Sequence, residues 1–366
     1  MQFEVQKSVL LKAISDTNGA VEKKNTIPVL QNIKIVVEDD KVVLSATDMD
    51  ILITSTFGCD MKDSGATTVP AQMFFDIIRK IPDGAILVKL DKNTNLQIKS
   101  GKSKYSLPCI DASEFPALSE SEINQEVEID GNKITKMIDK TRFAISSDET
   151  RYYLNGLFLQ SYVRDQKREI RSVATDGHRL AMSFNEYDAR DEFSVIIPRK
   201  SVNEIRRIID GVKKVKIGVS RSKIKIIADN STIVSKLIDG EFPDYEKVLP
   251  KNNNNIALIN RKLFFDCVDR VSTVASDKHR SVKIIAENGK MSLQVGNDDN
   301  VLAFEELDIN YSGDRIETGF NSRYLLDIIA QIDKEELIMR FRDTMSPALI
   351  EAQDMNSVFV IMPVRV

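Results

Sequence analysis

The amino-acid sequence repeats one pattern three times, and this repeat constrains the fold more than any other feature. A helix pattern with apolar residues at i, i+3, i+4 and i+7 recurs at Phe74–Ile78, Val202–Arg206 and Leu325–Ile329. Equivalent acidic positions in the three copies are Asp76, Glu204 and Asp327. A second helix pattern lies upstream in each copy, at Val9–Ile14, Lys133–Ile138 and Lys262–Cys267. The spacing of roughly 120 to 130 residues is that of whole domains rather than of solenoid repeats.

Between the helices, apolar and polar residues alternate with a period of two, which indicates half-buried strands. Each copy is therefore predicted to run helix, several strands, helix, several strands, with two helices packed on antiparallel sheets in an α+β domain. A polar turn after the fourth or fifth strand recurs as Thr47–Asp50, Thr175–His178 and Gly296–Asp299. Periodicity breaks at Ser119–Glu122 and Lys251–Asn255, which predicts linkers and three domains over 1–122, 126–250 and 251–366.

Composition excludes several classes of protein. The chain has 366 residues, 42% of them hydrophobic, so each copy can bury its own core. Since apolar runs stay short of the roughly 18 residues that span a bilayer, and the N-terminus lacks a signal-peptide pattern, we expect a soluble cytoplasmic protein with no membrane partner. The scattered Cys59, Cys109 and Cys267, with only His178 and His279 to supply imidazole, predict neither a disulfide framework nor a metal site or cofactor.

The charge distribution favours a nucleic-acid surface more than the net charge of −4 does. The predicted helix over 199–214 carries six basic residues against two acids, and the helix over 133–142 carries four against one. The third copy is balanced over 323–334. Solvated faces of surface helices explain any one of these stretches, but their recurrence on equivalent helices favours a shared cationic surface.

Three motifs identify a resemblance over essentially the whole length: Thr175-Asp176-Gly177-His178-Arg179-Leu180, Gly240-Glu241-Phe242-Pro243-Asp244-Tyr245 and the terminal Val360-Ile361-Met362-Pro363-Val364-Arg365-Val366. With the three copies, they make the chain resemble the bacterial sliding clamps, the beta subunits of DNA polymerase III. The resemblance implies three tandem DNA-clamp domains that close as a head-to-tail homodimer into a six-domain ring. Twelve helices then line the hole, through which duplex DNA passes without base-specific contacts.

The resemblance also implies residues for each contact. DNA contacts are expected from Lys12, Lys23, Lys24, Lys136, Lys140, Arg151, Tyr152, Tyr153, Arg199, Lys200, Arg206 and Arg207. A structural role is an equal alternative for the two tyrosines. The dimer contact is expected between the first domain of one chain and the third of the other, at Tyr105 and Leu107 on one side and Thr273 and Val274 on the other. Because Thr273 is polar, we expect a weaker dimer than is typical of the family.

A partner groove between the second and third domains is also implied. Its expected residues are Leu154, Thr175, Gly177, His178, Arg179, Leu180, Pro243, Lys247, Val248, Asn321, Tyr324, Val360, Ile361, Met362, Pro363, Val364 and Arg365. Leu180, Val248 and Met362 supply apolar surface, and methionine adapts to several partners. The expected ligands are extended hydrophobic peptides of the DNA polymerase III alpha subunit, the clamp loader, other polymerases and repair proteins.

Two departures and two simpler alternatives bear on this groove. Lys247 stands where the family often has arginine, which keeps the charge but loses the planar fork, and Val366 replaces a terminal leucine. From the residues alone, Asp176-Gly177 is equally a hairpin turn, and the periodicity of the final apolar run favours a plain edge or core strand over a functional segment.

Two other function classes stay open on the sequence. A hydrolase or nuclease would use Asp176 and His178 with Ser172 or Ser183 as nucleophile, but neither serine lies in a Gly-x-Ser-x-Gly elbow and the chain has no phosphate-binding glycine motif. A sequence-specific DNA-binding regulator needs a recognition helix and strong overall affinity, which the negative net charge disfavours. The sequence therefore favours a non-catalytic processivity factor.

Overall fold

The structure is a computed structural model that describes residues 1–22, 26–92, 94–116, 126–164, 167–186, 192–275, 280–296, 302–352 and 356–365. The chain forms two compact units, one of residues 1–135 with 200–237 and the other of residues 136–199 with 238–366. The middle copy of the repeat therefore contributes residues to both units.

In its described residues the first copy contains two α-helices and nine strands. The helices are α1 (Lys7–Asn18) and α2 (Ala71–Lys80). The strands are β1 (Gln2–Gln6), β2 (Asn32–Glu38), β3 (Lys41–Thr47), β4 (Ile51–Gly58), β5 (Asp60–Asp63), β6 (Gly65–Pro70), β7 (Ala85–Leu90), β8 (Asn95–Ser100) and β9 (Ser103–Pro108).

The second copy again contains two helices, with eight strands in its described residues. The helices are α3 (Gly131–Arg142) and α4 (Arg199–Ile208). The strands are β10 (Glu126–Asp130), β11 (Gly156–Arg164), β12 (Lys167–Thr175), β13 (Arg179–Glu186), β14 (Ser194–Pro198), β15 (Lys214–Val219), β16 (Lys223–Ala228) and β17 (Ser231–Lys236).

The third copy follows the same order. Its helices are α5 (Arg261–Ser272) and α6 (Ser322–Ile329). Its strands are β18 (Asn255–Asn260), β19 (Ser281–Glu287), β20 (Lys290–Gly296), β21 (Leu302–Asp308), β22 (Asn310–Tyr311), β23 (Ile316–Asn321), β24 (Glu336–Phe341), β25 (Ala348–Ala352) and β26 (Ser357–Ile361).

Antiparallel sheets join one copy to the next. The first unit holds sheets of order β5-β1-β7-β8-β9 and β10-β15-β16-β17-β4-β3-β2-β6, and the second holds β14-β11-β12-β13-β26-β25-β24-β18-β22 and β21-β20-β19-β23. In the first unit β17 pairs with β4, from Ser231 opposite Ser55 to Ser235 opposite Ile51. In the second unit β26 pairs with β13 in the same way, and Ser357 lies opposite Ser183. The second and third copies thus each add their last strand to the sheet of the copy before them.

The helices pack on these sheets through the predicted apolar stripes. In α1 the buried residues are Leu10, Ala13, Ile14 and Thr17, a spacing of three or four residues. Thr17 and the equivalent Thr141 of α3 are both buried, and their hydroxyls donate to the carbonyls of Ala13 (3.0 Å) and Met137 (2.6 Å). A polar residue is tolerated at this core position because the helix itself satisfies its hydroxyl.

Some details of the predicted secondary structure are wrong. Each copy begins with a strand, β1, β10 or β18, which the predicted order omits. In the first two copies the polar turn follows the third strand, rather than the fourth or fifth, and residues 297–299 of the third turn lie outside the described residues. The helix predicted over 199–214 ends at Ile208, because Gly211 has a φ of +72° in the left-handed region that ends helices. Likewise α6 ends at Ile329, five residues before Lys334.

The asparagine stretch predicted as a linker is anchored in the structure. Asn253 is 7% exposed, and its amide donates to the carbonyls of Arg340 (3.0 Å) and Pro347 (2.9 Å). Asn255 already belongs to β18. In the described part of the chain, every helix is too short or too polar to cross a membrane.

Candidate functional site

The turn between β12 and β13 is built by the side chain of Asp176. Its carboxylate accepts hydrogen bonds from the backbone N–H groups of His178 (2.9 Å) and Arg179 (3.0 Å). Gly177 has a φ of +89°, which favours glycine, and its N–H donates to the Thr175 hydroxyl (3.1 Å). Asp176-Gly177 is therefore a hairpin turn, and the turn presents His178 to solvent.

The end of the chain runs past this turn. Val360 and Ile361 are buried in β26, so the final apolar run begins as a core strand. Beyond it, the N–H of Met362 donates to the carbonyl of His178 (2.9 Å), and the N–H of Val364 donates to the carbonyl of Gly319 (2.9 Å). Met362 is 37% and Val364 38% exposed, so the tail is held by its backbone while its side chains face solvent.

A buried apolar cluster underlies the turn and the tail. It joins three predicted groove residues, Leu154, Leu180 and Val360, to Phe242 and other buried residues from β12, β13, β14 and β25. The ring of Phe242 stacks on Phe158 with centroids 4.7 Å apart. The predicted groove residues therefore divide into buried floor and exposed rim. The exposed members are Gly177, His178, Pro243, Lys247, Val248, Met362, Val364 and Arg365, and the half-buried ones are Thr175, Arg179, Asn321, Tyr324 and Pro363.

Two rim side chains are committed to local contacts. Asn321 caps α6 by accepting from the N–H groups of Arg323 (3.0 Å) and Tyr324 (3.3 Å). Lys247, whose side chain is 83% exposed, pairs with Asp244 (2.9 Å), which raises the pKa of the lysine. Burial and the nearby Asp176 raise the pKa of the Tyr324 phenol.

A buried cation that the sequence did not single out anchors the segment below the rim. Arg171 on β12 is 3% exposed and pairs with Glu169 (3.0 Å) and Glu246 (2.7 Å). It also lies 3.6 Å over the ring of Tyr162 and donates to the hydroxyl of Tyr245 (3.3 Å). Burial raises the pKa of Tyr245, although the arginine opposes this shift. These contacts fix Tyr245 and hence the neighbouring Pro243 and Val248.

The residues predicted to bind DNA differ in their exposure and in whether their charges contact other groups of the protein. Lys12 on α1 and Lys136 on α3 occupy equivalent positions and are exposed. Lys140 is 9% exposed, with its Nζ 3.5 Å from the hydroxyl of Ser357 and 4.0 Å from Asp333. Lys23 and Lys24 lie outside the described residues.

The other predicted DNA-binding cations contact acidic side chains or carbonyls of the protein itself. Arg199 donates to the carbonyls of Ile145 (2.6 Å) and Ser146 (2.5 Å), and Lys200 pairs with Asp48. On α4, Arg206 pairs with Asp210 (2.8 Å) and Arg207 with Glu204 (2.8 Å). Arg151 pairs with Asp148 (2.9 Å) and donates to the carbonyl of Asp176 (3.0 Å). Tyr152 is 55% exposed, whereas Tyr153 packs against the buried cluster.

The residues predicted at the dimer contact lie on β9 of the first copy and directly after α5 in the third copy. Tyr105 is 36% and Leu107 5% exposed on β9, the edge strand of its sheet. Thr273 follows the end of α5 and is exposed, and Val274 is half-buried. The sequence missed Leu302 (72% exposed) and Phe304 (56% exposed) on β21, which is also an edge strand. Their alternating spacing is the signal that indicated an ordinary half-buried strand.

Comparison with known proteins covers the whole chain. The family models of the DNA polymerase III beta subunit match in order, the N-terminal domain over 1–119, the central domain over 128–244 and the C-terminal domain over 246–365. The beta sliding clamp of Caulobacter vibrioides is 39% identical over 374 residues and covers 100% of both chains. That of Escherichia coli K12 is 32% identical over 369 residues, again with 100% of both chains.

Solved structures agree with these relatives. A crystal structure of the Caulobacter crescentus clamp with PEG bound has a TM-score of 0.96 at 38% identity, covering 100% of this chain and 99% of that one. The sliding clamp of Bartonella birtlesii bound to griselimycin has a TM-score of 0.95 at 38% identity, and the Pseudomonas aeruginosa clamp bound to griselimycin has 0.96 at 34%. Both of these comparisons cover 100% of each chain.

Three tandem α+β copies, joined by adding the last strand of one copy to the sheet of the copy before, define a clamp-type protein. The chain belongs to the DNA polymerase III beta subunit family, and its role is that of a processivity factor in DNA replication. The predicted family, fold class and function are thereby confirmed. The predicted domain limits and contact residues stay predictions.

Proposed function

We propose that two copies of this chain pair head to tail into a ring that encircles duplex DNA. The observation that carries the proposal is the pair of strand edges at β9 and β21. Each internal junction adds the last strand of a copy to the sheet of the preceding copy, and within the described residues β9 pairs with β8 and β21 with β20 only. The equivalent junction therefore needs the β9 of a second chain.

Charge supports the same pairing. Lys104 lies on β9 and Lys102 in the turn before it, while Glu305, Glu306 and Asp308 lie on β21, where Glu305 and Glu306 also pair with Arg270 and Lys290. The internal junctions also suggest a register, since Ser231 and Ser357 each begin the added strand and lie opposite Ser55 and Ser183. Ser103 begins β9, and Glu305 holds the place of Ser55 in the third copy. We expect Ser103 to lie opposite Glu305 of the second copy.

The DNA contact is proposed to be weak and independent of base sequence. Lys12 and Lys136 offer exposed charges at equivalent helix positions, whereas α5 has Asp266 at that place. A ring that surrounds its ligand does not need tight binding, and a few phosphate contacts give salt-sensitive attraction that permits sliding. After loading by the clamp loader, the protein is expected to persist on circular DNA and to slide off linear ends. A sequence-specific regulator shows neither behaviour.

The partner site is proposed to be the groove formed by the turn at Gly177, the Pro243–Val248 segment and the C-terminal tail. Its buried floor and exposed Met362 suit an extended hydrophobic peptide, which we assign to the polymerase alpha subunit, the clamp loader, other polymerases and repair proteins. Griselimycin is named as the ligand of two relatives' structures, and we propose this groove as its site here.

Val248→Asp tests the groove, because this side chain is 42% exposed and the change places a charge on the apolar rim without opening the core. Griselimycin binding, measured by calorimetry, is expected to weaken at least about tenfold, since a desolvated carboxylate costs more than about 1.4 kcal/mol. Val163→Asp is the matched control, as Val163 is 46% exposed on β11. Equal affinities for both variants and the unchanged protein would exclude the groove.

The protein is proposed to be non-catalytic and cytoplasmic. The serines considered as nucleophiles are already engaged, because Ser172 donates to the carbonyl of Met137 (3.1 Å) and Ser183 to that of Asn356 (3.1 Å). The Asp176 carboxylate is occupied by the turn. Incubation with labelled duplex DNA, peptide and nucleotide is expected to give no turnover. Turnover that co-purifies with the protein and disappears in Ser172→Ala would restore the hydrolase alternative.

A further inference from the structure

One acidic position of the repeat makes a different contact in the third copy. Asp76 on α2 pairs with Arg79 (3.0 Å), and Glu204 on α4 pairs with Arg207 (2.8 Å), each three residues along its own helix. In α6 the residue three positions after Asp327 is Ala330. The Asp327 carboxylate instead accepts a hydrogen bond from Nη1 of Arg179 (2.6 Å), which lies 148 residues away in sequence.

Arg179 is the residue that follows the groove turn, and its guanidinium is held on three sides. Its Nε lies 3.1 Å from Asp176, and its Nη2 donates to the carbonyl of Phe143 (2.9 Å). The side chain is 10% exposed, so its charge is nearly desolvated and needs these partners. In the first copy the equivalent residue after the turn is Ile51, so the acidic position is shared by the three copies but the arginine that pairs with it at this junction is not.

The Arg179 guanidinium also packs against aromatic rings at the rim. It lies 4.3 Å over the ring of Tyr324 and 5.0 Å over that of Phe143. Tyr324 in turn stacks on His178, with centroids 6.4 Å apart and planes 24° apart. Asp327, Arg179, Tyr324 and His178 thus form a connected series from α6 to the turn.

We infer that Asp327 is a positioning residue for the partner groove: it fixes the plane of Arg179, and through Arg179 the rings of Tyr324 and His178 that face the ligand. The inference rests on the proposed groove. Without the Asp327 charge, Arg179 keeps Asp176 and the Phe143 carbonyl but loses the contact that holds its plane against Tyr324. The rim then samples more orientations, and the ligand must restrict them on binding.

Calorimetric titration of griselimycin into the full-length protein tests the inference. Asp327→Asn is nearly isosteric and is expected to weaken binding about tenfold, as loss of one charge-assisted hydrogen bond does. Asp76→Asn is the matched control, because Asp76 holds the equivalent position and its side chain is 37% exposed against 36% for Asp327. The control is expected to bind as the unchanged protein does.

Combining the Asp327 substitution with one at Arg179 distinguishes a positioning role of Asp327 from a general loss of structure. Arg179→Met is expected to weaken binding by itself, and adding Asp327→Asn to it is expected to change affinity no further. Asp327→Glu restores the charge and is expected to recover most of the binding. Asp327→Asn with unchanged affinity, or with a full additional loss in the Arg179→Met background, overturns the inference. If the unchanged protein does not bind griselimycin, the proposed groove fails, and the inference fails with it.

Discussion

The strand edge at β21 gives the sharpest test of the proposed ring, and Phe304 is the residue to change. Phe304 is 56% exposed, on a strand whose second edge pairs with nothing in the described chain. If β9 of a second copy covers this edge, about half of the phenyl surface becomes newly buried. Full burial of such a side chain is worth about 1.5–3 kcal/mol, so Phe304→Ala is expected to cost about 1 kcal/mol at one interface.

Ring closure doubles this cost. A head-to-tail dimer contains the same interface twice, so one substitution per chain removes about 2 kcal/mol from the dimer and raises its dissociation constant about thirtyfold. The backbone edge stays intact in Phe304→Ala, and the effect therefore reports the side chain alone.

Sedimentation velocity over a range of concentrations measures the dimer dissociation constant. Ile256→Ala is the matched control, because Ile256 is 44% exposed on β18, which is paired on both sides within its sheet. Only the Phe304 variant is expected to shift toward monomer. A dissociation constant that stays the same in both variants, or shifts equally in both, would refute the assignment of β21 to the interface.

Three further predictions concern stability and DNA. Arg171→Met is expected to destabilise the protein by about 3 kcal/mol because it leaves the largely buried carboxylate of Glu169 without its partner, whereas Lys167→Ala on the same strand, in a pair that is 73% exposed on both sides, is expected to leave the denaturant midpoint nearly unchanged. Tyr245 has a pKa raised above 10.0 by burial, so its contribution is fully present below pH 10.0 and is lost as pH rises through the higher folded value; Tyr245→Phe is expected to flatten the alkaline fall of the melting temperature. Lys12→Ala and Lys136→Ala are each expected to lower the slope of log K against log salt by about 1.8 for a ring with two copies of each lysine, and an unchanged slope in duplex-binding titrations would remove that residue from the DNA contact.

Local pattern predicted the helices because a helix depends on neighbours within one or two turns, and the recurrence of those patterns along the chain predicted the repeat. The stripe of Leu10, Ala13 and Ile14 is buried as expected. The predicted end of a helix was wrong where a single residue changes the backbone conformation, as Gly211 does after α4. The first strand of each copy precedes the first helix and so fell outside the predicted order, although Gln2–Gln6 does alternate, with Phe3 and Val5 buried.

The sequence also overstated the free positive charge. Counting lysines and arginines gives formal charge, whereas attraction for phosphate depends on charge that other groups leave unpaired. Arg207 illustrates the difference, because its guanidinium donates to the carbonyls of Ser15 (2.8 Å) and Asp16 (2.6 Å), about 190 residues away in sequence. Such long-range partners are invisible to a count along one helix.

Long separation in sequence also explains why the ion pair at the groove could not be predicted from the sequence. The resemblance supplied rim residues one by one, but the contact between Arg179 and Asp327 exists only because β26 pairs with β13 and brings α6 beside the turn. Strand addition therefore does two things in this chain. It continues the sheet from one copy to the next, and at the second junction it places residues from two copies in one site. A junction with the same geometry but with Ile51 at the arginine position continues the sheet without that ion pair, and so the two junctions can share a fold and differ in function.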